Sequence, residues 1–308
     1  MVDFGEGDVL HRTTVAAGTR RKRADLRMRA TRGPGGVGRV DVVALVGIGL
    51  LTGATTVLFG FGGGFVAVPV VVWADAALGD DAMRVATATS AVVMVVNAGF
   101  ATAVTPRRIL VALRGSGPLL ALLVLGASVG ACAARVAPPD LARWAFVGYV
   151  GLTVGDLLTR PGFLRPRPEA AAERGARPLP AALGAPVGAV ASFLGVGGSV
   201  LTVPTMRRAG HPMGVATALA NPLTVAIALP AAAVFLAAEA AVPLRGSATG
   251  EMPLVGLVDP VAAGALLLGA LPVIAVVRRR PPRIPDRVHA WTYIGLLVVV
   301  ALAMVPLG

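Results

Sequence analysis

The sequence predicts an all-α polytopic membrane protein. It is read as two homologous repeats of four apolar segments, each opening with a glycine-broken helix. Three observations carry this. Charged residues make up 14% of the chain and hydrophobic ones 56%, with a mean hydropathy of +0.78; a soluble domain averages about 25% charged residues. Charge-free runs recur at membrane length. An unusual glycine cluster appears twice, at matching places.

The runs 42–74, 85–106, 115–134, 178–206, 209–238 and 288–308 hold no Asp, Glu, Lys or Arg. Two more, 144–159 and 252–277, hold one each, Asp156 and Asp259. About 18 apolar residues suffice for a membrane-crossing helix. Before the first run lies a polar, basic stretch, 1–40, expected to be disordered. The first repeat is placed at 41–159, an Arg- and Pro-rich cytoplasmic linker at 160–178, and the second repeat at 179–308.

The repeat is visible in "LFGFGGGFVAVP" (58–69) and "FLGVGGSVLTVP" (193–204). Gly60, Gly62, Gly63 and Pro69 match Gly195, Gly197, Gly198 and Pro204, Gly64 becomes Ser199, and upstream Gly53 matches Gly188. Downstream, "RVATATSAVV" (84–93) is echoed by "GVATALANPL" (214–223). Contiguous glycines point to different faces of a helix, so packing against one neighbour does not explain them. Glycine-rich backbone in lipid would leave N–H and C=O groups unpaired at several kcal/mol each. Paired breaks in two repeats are instead the pattern of discontinuous helices around a central transport site.

These two motifs, with the Ala-Thr segments that follow them, resemble the sulfite exporter TauE/SafE family. The departure is Ser199 in the second copy. The resemblance implies transport of a small sulfur-containing anion, such as sulfite or a sulfonate, across the cytoplasmic (inner) membrane.

An anion site also follows from the backbone. A helix break creates a new helix N-terminus, whose free N–H groups and dipole attract negative charge. The candidates are Gly62, Gly63, Gly64 and Phe65 in the first break, and Gly197, Gly198 and Ser199 in the second. The next segments add polar stripes. Thr87, Ser90, Met94 and Asn97 share a helical face, as do Thr217, Asn221 and Thr224. Thr87, Ser90, Asn97, Thr217 and Asn221 complete the candidate substrate site. Pro222 after Asn221 is expected to kink its helix. Asp156 is expected to pair with Arg160 four residues on.

Other classes fit poorly. The net charge of +12 is scattered through short loops and the tail, as orientation signals are, so no nucleic-acid partner is expected. The histidines, His11, His211 and His289, lie apart from any buried nucleophile, so no enzyme activity is expected. No cofactor and no metal site is expected, for want of His, Cys, Met or carboxylate clusters. Cys132 is the single cysteine and reads as a small buried hydrophobe. The partners expected are a small anion and the bilayer; the rival readings are a passive anion channel and a non-transporting scaffold.

Orientation raises a puzzle. If all eight segments crossed from a cytoplasmic tail, Arg207, Arg208 and the Arg278–Arg287 cluster would lie outside, against the positive-inside rule. A re-entrant second glycine segment returns the arginine loops to the cytoplasm and leaves "ADAALGDD" and "EAAVPLRGSATGE" external. If the first glycine segment is re-entrant too, each half has three crossings and the halves are inverted repeats.

Overall fold

The computed structural model describes residues 37–74, 81–164, 180–238, 254–280 and 282–305. Among them, the regular structure is helical apart from one isolated bridge between Val255 and Val258. The helices are α1 (Val37–Phe59), α2 (Gly64–Ala74), α3 (Ala82–Ala103), the single turn α4 (Arg107–Leu110), α5 (Gly117–Val136) and α6 (Pro139–Thr159). They continue with α7 (Gly184–Leu194), α8 (Ser199–Arg208), α9 (Met213–Leu236), α10 (Pro260–Arg279) and α11 (Asp286–Met304). Seven of them, α1, α3, α5, α6, α9, α10 and α11, are long and apolar enough to cross a membrane. The eighth apolar run is divided between α7 and α8. The described body is that of a multi-pass membrane protein.

Local chemistry sets the helix ends. Proline occupies the first turn of α5, α6 and α10, where its missing N–H costs nothing. Asp259 caps α10, accepting from the backbone N–H of Val261 at 2.8 Å and Ala262 at 2.9 Å. Pro222 and Pro230 lie inside α9, which remains helical through both. Helix α1 begins at Val37, inside the stretch expected to be disordered; residues 1–36 and most of the expected linker fall outside the described residues.

Apolar helices in lipid gain nothing from hiding apolar surface against each other, so small residues decide where backbones meet. Gly49 and Gly53 of α1 lie against the backbone of Leu266 and Ala270 in α10, and Gly269 returns the contact on Val46. Gly184 and Gly188 of α7 lie against the Leu119 and Leu123 carbonyls of α5, whose Gly126 and Gly130 meet Ala185 and Ala189. The most buried spans are α3 and α9. Cys132 departs from expectation: it is exposed on α5. The outward surface of a membrane protein is itself apolar, so an apolar segment does not imply a buried residue.

Polar contacts gather at the helix ends. Asp156 of α6 pairs with Arg160 at 3.1 Å, as expected, and also with Arg208 of α8 at 2.7 Å. Arg207 pairs with Asp286 of α11, which also accepts from the Met213 N–H of α9 at 3.0 Å. At the opposite ends, Arg84 reaches the Ala137 carbonyl, Arg143 reaches the Met304 and Val305 carbonyls, and the Asp259 N–H reaches Thr89 Oγ1.

Candidate functional site

The glycine clusters are helix breaks. Helix α1 stops at Phe59; Gly60, Gly62 and Gly63 take φ of +75°, +64° and +86°; and α2 starts at Gly64. Helix α7 ends on Gly195 at φ +69°, Gly197 follows at +67°, and α8 starts at Ser199. Side chains are strained at such φ, which is why glycine occupies these positions. Each break exposes the first N–H groups of a new helix, which have no partner within it.

The breaks converge. A Cβ on Gly62 would sit 2.7 Å from Thr224 Cγ2, and one on Gly197 would sit 3.0 Å from the same atom and 3.1 Å from Met94 Sδ. Gly64 faces Met94 too, and a Cβ on Gly197 would lie 3.4 Å from the Phe61 carbonyl of the other break. Met94 of α3 and Thr224 of α9 therefore stand between the two breaks. Around them the glycines are seated alternately. Gly60 lies on the Thr217 carbonyl and Ala220 of α9, and Gly195 on Thr87 and Ser90 of α3. Gly63 faces Asn97 Nδ2, whereas Gly198 faces Ile227.

The polar groups here are buried and several are unused. Asn97 is 0% exposed, and both atoms of its amide lack a hydrogen-bond partner. The same holds for Ser199 Oγ, Thr202 Oγ1, Thr224 Oγ1 and Asn221 Oδ1. Asn221 Nδ2 donates to the Thr217 carbonyl at 3.3 Å. A buried polar group without a partner costs about 1–3 kcal/mol, so a cluster of them marks a place where water, an ion or a polar ligand would supply the missing partners.

Of the residues expected from the sequence, Gly62, Gly63, Gly64, Gly197, Gly198, Ser199 and Asn97 gather at or beside the convergence, and Asn221 is buried three residues before Thr224 on α9. Phe65 lies in the first turn of α2, and its ring stacks between Phe61 at 4.9 Å and Phe146 at 5.8 Å. Thr87, Ser90 and Thr217 sit at the far side of the glycine turns. Ser90 Oγ bonds the Gly195 carbonyl at 3.0 Å and the Thr87 carbonyl at 2.8 Å, and Thr217 Oγ1 donates to the Gly214 carbonyl at 3.2 Å. The Ser90 hydroxyl is spent on holding the Gly195 turn, and the Thr217 hydroxyl is spent within α9.

The candidate set expected from the sequence omitted Thr52, Thr56, Ser192, Thr202 and Tyr293. Thr52 and Thr56 of α1 border Gly63. Tyr293 of α11 donates to the Ser199 carbonyl at 3.1 Å and stacks on Phe61 at 5.1 Å, fixing the start of α8 against the aromatic wall. No group of His, Cys, Asp or Glu able to hold a metal occurs among the described residues.

No curated protein and no solved structure matches the chain. The model of the sulfite exporter TauE/SafE family matches residues 45–304, which include both breaks and every long apolar helix from α3 onward. The chain therefore belongs to the sulfite exporter TauE/SafE family, a family of membrane transporters.

Proposed function

We propose that the chain is a secondary transporter that moves a small sulfur-containing oxyanion, of sulfite or sulfonate type, across the cytoplasmic membrane by alternating access. The observation that carries this is the meeting of two helix N-termini, α2 and α8, beside the unpartnered polar atoms of Asn97, Ser199, Asn221 and Thr224. Backbone N–H groups of Gly63, Gly64 and Phe65, and of Gly198 and Ser199, would bind the oxygens. The Asn97 amide and Ser199 hydroxyl would add donors. Phe61, Phe65, Val196 and Met94, all at most 1% exposed, would keep water out. No carboxylate is among these groups, so nothing repels the anion.

We read residues 41–159 and 179–308 as inverted repeats, each with a re-entrant glycine hairpin and three crossings. Gly184, near the start of α7, lies on Leu119 near the start of α5, and Arg208 at the end of α8 meets Asp156 near the end of α6. Leu183 and Thr205 line one groove. These contacts support entry and exit of α7–α8 at one membrane face. On this reading Arg107, Arg108, Arg160, Arg207, Arg208 and Arg278–Arg280 share the cytoplasmic face, as the positive-inside rule requires. A C-terminal reporter found in the cytoplasm would refute it.

Flux in proteoliposomes tests the function, with sulfite, thiosulfate, sulfoacetate, sulfate and chloride as cargo. Saturable flux of a sulfur anion, lost in Gly63→Leu and Gly198→Leu, is the expected result. Linear, unselective flux would make the protein a channel, and absence of all five fluxes from folded protein would end the anion reading.

A further inference from the structure

We propose that the groove between α6, α7 and α8 is an entry vestibule for the anion, with Arg208 as its first binding residue. The inference rests on the transporter reading and adds to it a second site and a route.

The groove encloses about 430 Å³ and is lined by Tyr149, Thr153, Asp156, Thr205 and Arg208 among apolar neighbours. Arg208 is half-buried at its mouth. Its Nη2 donates to the Asp156 carboxylate at 2.7 Å and to the Asp156 backbone carbonyl at 3.1 Å. Its Nε is buried and has no partner. A guanidinium offers its N–H groups as a planar fork suited to an oxyanion. Here the Asp156 carboxylate occupies part of that fork and stands in for the anion; Nε beside it is buried, so an anion reaches the fork when Asp156 swings away. Arg160 is a second cation on the same carboxylate, so Asp156 has somewhere to go when an anion displaces it.

From Arg208 a polar row leads inward. Ser199, Thr202, Thr205 and Arg208 recur every third residue of α8, an inclined row on a helix surface. Thr205, whose hydroxyl donates to the Leu201 carbonyl at 2.7 Å, lines both the groove and a smaller cavity of about 20 Å³, enough for one water. Thr202 lines the smaller cavity, and its Oγ1 has no partner. Ser199, one step further, is at the break itself. The row is particular to α8: the matching positions of α2 are Gly64, Ala67, Val70 and Trp73, without a polar side chain. The vestibule therefore serves the arginine-rich face alone.

Two measurements test this. Cys132 is the single cysteine, so Thr205→Cys in a Cys132→Ser background gives one reporter thiol. A membrane-impermeant anionic methanethiosulfonate should label it from the arginine-rich face, and sulfoacetate should slow the labelling. The same protein is run in neutral phosphatidylcholine and in vesicles containing phosphatidylglycerol. In flux assays, Arg208→Gln should raise KM on the order of tenfold, the value of one charge-assisted hydrogen bond, with kcat retained. Arg208→Lys should recover part of the loss, and Asp156→Asn should lower KM by freeing the fork. A thiol that never reacts would mean a lipid-filled groove. Labelling blocked by anionic lipid alone would mean a headgroup site. Either result, or an unchanged KM in both Arg208→Gln and Asp156→Asn, overturns the vestibule while leaving wild-type flux intact. Labelling and protection without any flux would keep the binding site and overturn the transporter reading instead.

Discussion

Replacing Gly53 with alanine tests how tightly the first glycine helix is seated. An added Cβ would lie 2.5 Å from the Ala270 carbonyl oxygen and 2.8 Å from Ala270 Cα, both backbone atoms of α10. Carbon atoms attract best at about 3.5–4.0 Å, so α1 must withdraw by roughly 0.7 Å or more, and a gap of that size forfeits about a quarter to a half of each contact's attraction. Overpacking of this kind costs about 1–3 kcal/mol. Alanine is the better helix former by about 1 kcal/mol, which partly offsets the loss. The control is Gly47→Ala in the same helix, where a Cβ would meet nothing within 4 Å. That variant gains the propensity without the clash. Thermal unfolding in detergent should therefore separate the two variants on the order of 5 °C, with Gly53→Ala lower. Equal midpoints would refute the close seating of α1 on α10. They would also remove the reason for glycine at position 53.

Three further predictions follow from the buried polar groups and the helix ends. Asn97→Leu removes an amide that has no partner, so thermal stability should hold or rise by about 1–2 kcal/mol while anion flux is lost; loss of stability would mean that Asn97 is structural. Arg207→Gln leaves Asp286 without its ion pair, and because Asp286 is 38% exposed on its side chain the cost should fall to about 1–3 kcal/mol in a detergent melt, below the range for a fully buried pair. His211, half-buried in the α8–α9 connection, has its pKa lowered by desolvation; the folded state therefore binds its proton less readily, stability is full above about pH 6.5 and falls on acidification below it, and His211→Gln should flatten that acid limb of the melting profile.

Much of the fold was legible because lipid imposes simple rules. Charge-free runs marked the long helices, and paired glycine clusters marked the breaks. The Asp156–Arg160 pair was readable because it is local. Its second partner, Arg208, was not, since nothing in a helical spacing reports a contact across 52 residues. The stripe from Thr87 to Asn97 was correctly one buried face, but a face does not say which neighbour meets which residue. Ser90 and Thr87 met the Gly195 turn, Met94 met both breaks, and Asn97 met the first alone. Thr56 and Thr202 gave no signal either. A hydroxyl in an apolar helix usually bonds the carbonyl one turn back, as Thr56 does to Thr52, and only the structure distinguishes Thr202, whose hydroxyl does not.

The two breaks share a backbone plan but not their side chains, and on the two-repeat reading the differences matter for mechanism. Asn97 faces Gly63, while Ile227 faces Gly198. Met94 and Thr224 take the matching central places, and Ser199 supplies a hydroxyl where Gly64 has none. The polar row to the surface runs along α8 alone. An anion arriving from the arginine-rich face therefore meets a charged and hydroxyl-lined approach, while one arriving along α2 meets an apolar one. Such asymmetry sets how strongly each face captures the anion and how fast it releases it. It does not set the direction of net flow, because a ligand shifts an equilibrium only by its differential affinity for the two states. Net export or import is then decided by the gradient that drives the cycle. On the proposed alternating-access reading, the paired glycine breaks would give both conformations the same charge-free anion site.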